Sequence, residues 1–169
     1  RAAKYLQTLV GTKADGGIQF PAADGTVGAF TIMVKIRLEA FANEAVYGNT
    51  TSNMMRVNNT TTVRYKLGGS GSADFTVPSA MTDAQPYIFT LQRDAAGALS
   101  AYIDGGAFTD QPLTGTFTDA DAFIIDYLGG VPSQGMQGWI FDFLAWETKL
   151  NDAQRKAQYR VINQTIRTL

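Results

Sequence analysis

The chain contains neither cysteine nor histidine. Without cysteine there is no disulfide and no thiolate metal site. Without histidine there is no imidazole base, no Ser-His or Cys-His nucleophile pair, and none of the commonest transition-metal ligand. Charge is sparse as well: 17% of the residues are charged and the formal net charge is −1. Such a chain has no global field to draw in nucleic acid or an anionic membrane, and neither is expected as a partner. No apolar run approaches the roughly 20 residues that a membrane-spanning helix needs. No charged segment followed by an apolar one stands at the start, and the first residue is Arg1. The sequence is therefore expected to be processed or part of something longer.

What is present fits one domain. With 169 residues, 45% of them hydrophobic, the chain is long enough for one sizeable core and short for two. Tyr5, Leu6, Leu9 and Val10 give the opening stretch one apolar face, as a short helix or an edge strand. Residues 1–14 are expected to form an N-terminal arm, 15–160 the folded domain, and 161–169 a C-terminal tail.

Between these ends, short apolar runs alternate with Gly, Asn, Asp, Ser and Thr clusters. From Phe30 to Leu38, Phe30, Ile32, Val34, Ile36 and Leu38 share one face, and Thr31, Met33, Lys35 and Arg37 the other. This alternation predicts a strand with one buried and one wetter face. Val63, Tyr65 and Leu67 alternate with Thr62, Arg64 and Lys66 in the same way. Tyr87 to Arg93 and Leu99 to Asp104 are two strands joined at Asp94-Ala95-Ala96-Gly97. Phe75 to Pro78 and Phe123 to Leu128 add two more. Gly138 to Leu150 is apolar on both faces, which predicts a strand covered on both sides. Asn151 and Gln154 then stand at capping-box spacing, so a helix is expected over roughly Asp152 to Tyr159. The pattern predicts an all-β sandwich or barrel with a short C-terminal helix.

The closing unit, Gly138-Trp139-Ile140-Phe141-Asp142-Phe143-Leu144-Ala145-Trp146 followed by Leu150-Asn151 and the capped helix, resembles the C-terminal signature of concanavalin A-like lectin/glucanase domains of the laminin-G type. Phe30 to Arg37 resembles that family's early strand. Tyr87 through Gly105, with Tyr102-Ile103-Asp104-Gly105, resembles its tyrosine-x-aspartate-glycine hairpin. The resemblance covers roughly residues 15 to 160 and implies a two-sheet antiparallel jelly-roll β-sandwich. Residues 49 to 59 depart from it most, being rich in Thr, Asn and Met.

The same superfamily includes glycan-cleaving enzymes. Retaining glycoside hydrolysis needs two carboxyl groups about 5–5.5 Å apart. No glutamate-x-aspartate-x-glutamate run is present, and Asp142 and Glu147 have the parity of opposite faces. Asp119 and Asp121 read as loop. Catalysis is not expected. The resemblance also implies a rim calcium (Ca2+), for which Asp15, Asp24, Asp74, Asp119 and Asp121 are available, with Asp104 and Asp126 the leading candidates. For ligand binding the sequence offers a basic, partly aromatic face of Lys35, Arg37, Arg56, Arg64 and Lys66, with Tyr47 and Asn49 nearby. A solvated face that keeps the sheet from aggregating is the plainer reading of the same residues. Trp139 and Trp146 are either sugar platforms or core, with core expected for at least one.

The leading expectation is a non-catalytic lectin-like binding or structural module. It would belong to a larger assembly such as a phage or virus particle, as a capsid-decorating, tail or fibre part, contacting glycan, neighbouring protein subunits or copies of itself as a homo-oligomer. The alternative is a free carbohydrate-binding lectin domain of an extracellular protein. A glycan-degrading enzyme ranks third. An extracellular or virion-surface location follows from either of the first two.

Overall fold

A computed structural model describes residues 2–3, 12–20, 28–67, 71–104, 110–115 and 122–164, with side chains placed from residue 18 onward within those ranges. The strands, in chain order, are β1 (Ala2–Ala3), β2 (Thr12–Phe20), β3 (Phe30–Leu38), β4 (Glu44–Thr50) and β5 (Asn53–Asn59). They continue as β6 (Thr62–Leu67), β7 (Ser72–Thr76), β8 (Tyr87–Arg93), β9 (Leu99–Asp104) and β10 (Asp110–Pro112). Last come β11 (Phe123–Leu128), β12 (Gly130–Val131), β13 (Gln134–Gly135), β14 (Gly138–Trp146) and the helix α1 (Asp152–Gln164).

Two six-stranded antiparallel sheets face each other. One has the order β1-β14-β3-β8-β9-β10 and the other β2-β11-β4-β5-β6-β7. Their inner faces form one core, in which Phe30, Ile32, Val34, Ile36 and Leu38 of β3 meet Val57, Val63, Tyr65, Leu67, Phe123 and Ile125 of the opposing sheet. Of the sandwich and the barrel that the alternation allows, this is the sandwich, with the two antiparallel sheets that the resemblance implies and the C-terminal helix. The hairpin between β8 and β9 turns where expected: Asp94 Oδ1 accepts from the amides of Ala96 and Ala98 at 3.1 and 2.9 Å, and Gly97 takes a φ of +90°.

The helix is capped as its sequence dictates. Gln154 N donates to Asn151 Oδ1, and Asn151 N donates to Gln154 Oε1, both at 3.0 Å. It runs past Tyr159 to Gln164 because Tyr159 and Ile162 pack with Met33, Ile88 and Leu144 on the outer face of the first sheet. That face is therefore not wet. On β3 the expected polar side is buried at Thr31, Met33 and Lys35, and only Arg37 is exposed. We call this the helix-bearing sheet and its partner the open sheet, since no helix covers the latter's outer face among the described residues.

Gly138 opens β14 for a steric reason. Its φ is +150°, and a Cβ there would lie 2.1 Å from the carbonyl oxygen of Arg37, across the pairing of Gly138 with Leu38. Gly138→Ala should cost about 1–3 kcal/mol in backbone strain before β14 is displaced from β3. Urea denaturation would measure it, and a variant as stable as the parent would contradict this account of the strand's start.

Candidate functional site

The structure divides the predicted basic face between two surfaces. Lys35 and Arg37 lie on β3, in the helix-bearing sheet; Arg56, Arg64 and Lys66 lie on β5 and β6, in the open sheet. Alternation along a strand says which side of its own sheet a residue occupies. It does not say which sheet that is.

Lys35 is a support for the helix. It is 2% exposed, and its Nζ donates to the carbonyl oxygens of Ile162 and Asn163 at 3.2 and 2.8 Å. An ammonium there satisfies terminal carbonyls and opposes the negative end of the helix dipole. This matters because no basic residue stands in the last turn of α1 itself. Burial pulls the Lys35 pKa below the ordinary lysine value, and the nearby Asp104 and Asp142 act against that shift. Arg37 is exposed at the same sheet's outer face; its Nε donates to the carbonyl of Asp83 at 3.0 Å and its guanidinium lies 4.9 Å from the Trp139 ring centre. Trp146 packs against the cluster beneath the helix.

Tyr47 belongs to the core, not to a ligand face. It is 1% exposed, between Phe123 and Phe143, with ring centres 5.9 and 5.6 Å away. Burial drives its hydroxyl pKa well above the usual tyrosine range. Asn49 is partly buried and its Oδ1 has no hydrogen-bond partner among the described residues.

The two leading metal candidates do not meet. Asp104 is buried at the end of β9 in the helix-bearing sheet, beside Tyr159, whose hydroxyl pKa is raised by burial first and by Asp104 next. Asp126 is partly exposed on β11, in the other sheet, at a register shift between Ile125 and Tyr127. Among the described residues, no three acidic side chains gather as metal ligands do. Asp24, Asp119 and Asp121 lie outside the described residues, and the side chain of Asp15 is likewise not described. Asp142 is buried near Lys35 while Glu147 is exposed beyond the end of β14, so these two carboxylates do not form a pair across one substrate.

What remains together is on the open sheet. Strand pairing lays out two rungs across its outer face. One runs Tyr127, Gly48, Met54, Lys66, Ser72; the other Ala45, Arg56, Arg64, Asp74. Neighbours along a rung are about 4.5–5.5 Å apart at Cβ. Arg64 holds Asp74 through two bonds, Nε to Oδ1 and Nη2 to Oδ2, each 2.6 Å. That pairing keeps the Asp74 carboxyl below the usual carboxylate range, with burial working against it. Arg56 Nε donates to Asn58 Oδ1 at 2.7 Å, and Lys66 Nζ to the carbonyl of Thr51 at 2.9 Å. At one end of the face the β12–β13 hairpin covers Ala45 and Met54 with Val131. A concavity of about 400 Å³ lies against that hairpin, lined by Glu44, Ser133, Gln134 and Gln137 among others. Glu44 Oε2 accepts from Gln137 N at 2.5 Å, and burial raises the Glu44 pKa against that bond.

Sequence reasoning found Arg56, Arg64 and Lys66 and missed the groups that position them. Asp74 reads in sequence as one more oxygen ligand; Asn58 falls in the 49–59 stretch that departs most from the resemblance. The signal for Asp74 was present in the alternation of Ser72, Asp74 and Thr76, which puts it on the same side as Arg64 once β6 and β7 are paired.

No protein-family model matches this chain, and neither does any curated protein. Solved structures do. A carbohydrate-binding module (CBM40) of the Ruminococcus gnavus IT-sialidase, bound to alpha2,3 sialyllactose, superposes with a TM-score of 0.58 at 16% identity, over 93% of this chain and 99% of that one. A heptameric SAP-like pentraxin from Limulus polyphemus gives 0.58 at 16% identity, over 83% of this chain and 70% of that one. Domain 4 of an extracellular arabinanase from Geobacillus stearothermophilus, in complex with arabinotriose, gives 0.55 at 16% identity, over 90% and 80%. The shared fold is the two-sheet jelly roll. At these identities the likeness is one of fold.

Proposed function

We propose that this chain is a non-catalytic glycan-binding module whose ligand lies on the outer face of the open sheet. One observation carries the reading. Arg56, Arg64, Lys66, Asn58 and Asp74 form an ordered set of donors and acceptors on a sheet face that no described helix covers, whereas the equivalent face of the other sheet is filled by α1. A face of fixed, partly exposed polar groups suits hydroxyl-rich ligands, which are recognised by many directional hydrogen bonds. The fold neighbours that carry sialyllactose and arabinotriose are consistent with this and supply no residue-level assignment. Laminin-G-type ancestry and an extracellular setting belong to the same proposal.

A glycan array, run with and without a chelator, tests the binding and the calcium expectation together. Arg64→Glu should lower retention of the ligands found, and Arg37→Glu, on the opposite face, should leave it unchanged. Retention that depends on Arg37 and not on Arg64 would move the site to the other sheet, and an empty array would sink the glycan reading. A structural part of a larger assembly is the second reading; native mass measurement showing stable oligomers alongside an empty array would favour it.

A further inference from the structure

The open face carries a charge arrangement that the fold does not need. Arg56 and Arg64 stand directly opposite one another on β5 and β6. Like charges in that position destabilise a strand pair. Lys66 lies two residues beyond Arg64, on the same side. Among the described residues, the acidic group set against these three cations is Asp74, and both its oxygens are taken by Arg64. Arg56 and Lys66 are held by neutral acceptors, Asn58 Oδ1 and the Thr51 carbonyl. Those bonds orient the two side chains without neutralising them. Burial first, and then the neighbouring cations, lower the pKa of both groups, as crowding of positive charge should.

We propose that the open face takes an acidic saccharide, with a carboxylate or sulfate of the ligand received between Arg56 and Lys66. The inference rests on the glycan reading and adds the ligand's charge to it. Arg64, already paired, contributes background charge and a fixed edge. Orienting the donors before binding cuts the ordering cost of capture. A long polyphosphate fits the surface poorly. Its affinity comes from many phosphate contacts, whereas among the side chains described on this face the cations are three, a carboxylate stands among them, and the chain's formal net charge is −1.

The test is isothermal titration at low and moderate salt with sialyllactose and oligogalacturonate as carboxylated ligands, a heparin fragment as a sulfated one, and lactose and arabinotriose as neutral ones. Single-stranded DNA is the competing polyanion. The wild type is compared with Arg56→Thr, Lys66→Thr and the double variant. We expect one acidic class to bind more tightly than the neutral sugars and to weaken with salt, and the double variant to lose at least about tenfold in affinity for it. The thermal midpoint of the double variant should hold or rise, because an opposed cation pair is gone; a fall would show that the cations serve folding. Neutral sugars bound as well as acidic ones, and equally by the double variant, would overturn the charge inference while leaving the glycan reading in place. No saccharide bound at all would remove both. DNA bound as tightly as the acidic sugars would overturn the saccharide assignment.

Discussion

Arg155→Ala should destabilise the domain by about 3–5 kcal/mol, the cost of leaving one partner of a buried ion pair behind. Arg155 leaves the helix toward the sheet and pairs with Asp110 of β10, the two side chains being 4% and 6% exposed. Its guanidinium also lies 3.7 Å from the Tyr102 ring centre and reaches Asp152 Oδ1 at 3.2 Å. Burial lowers the Arg155 pKa, with Tyr102 opposing that shift. The charge is tolerated because Asp110 is present, and the converse holds for Asp110. For a chain of this size the loss corresponds to a fall in thermal midpoint on the order of 10 °C. Replacing both residues by leucine should cost much less than Arg155→Ala alone, since no charge is then stranded. Differential scanning calorimetry on the three proteins tests this. A single variant within about 1 kcal/mol of wild type would mean that the pair does not pin α1 to the sheet.

Tyr47→Ala should cost about 3–5 kcal/mol, in the range of large aromatic deletions from a packed core. Tyr47 fills the space between Phe123 and Phe143, and Phe30 packs beyond Phe123 at 5.9 Å, so little can collapse into the gap. Tyr47→Phe keeps the ring and should lose far less. A ligand-face tyrosine behaves in the opposite manner, with stability unmoved and affinity lost. Chemical denaturation of both variants, alongside glycan binding by Tyr47→Phe, separates the two. Tyr47→Ala folding as stably as wild type would return the residue to the surface where the sequence first places it.

The strands that announce themselves in sequence are those with unbroken alternation. Phe30 to Leu38, Val63 to Leu67 and Tyr87 to Arg93 are regular ladders, and their periods show through. The Gly138 to Gln154 unit is legible for local reasons: a glycine where a side chain has no room, an apolar strand, and a capping box. Residues 44–59 are opaque because β4 shifts register against β5 twice and β5 against β6 once. Each bulge reverses the parity that sequence reading depends on. Tyr47 was misplaced for this reason, since Val46 and Tyr47 both enter the core around such a shift. Lys35 was misplaced for another. The helix that buries it arrives from more than 100 residues away, and no local pattern on β3 records it. The candidate site was thus legible in its cations and not in its boundaries, which are set by which sheet each strand joins and which face α1 occupies.

That boundary makes the most direct test a structural one. Backbone amide NMR shifts, followed while the tightest glycan from the array is titrated in, should move at Met54, Arg56, Asn58, Arg64, Lys66 and Asp74 and stay fixed at Lys35, Arg37 and Trp139. Shifts confined to β3, β14 and α1, or to no contiguous surface, would contradict the assignment of the open sheet as the glycan-binding face.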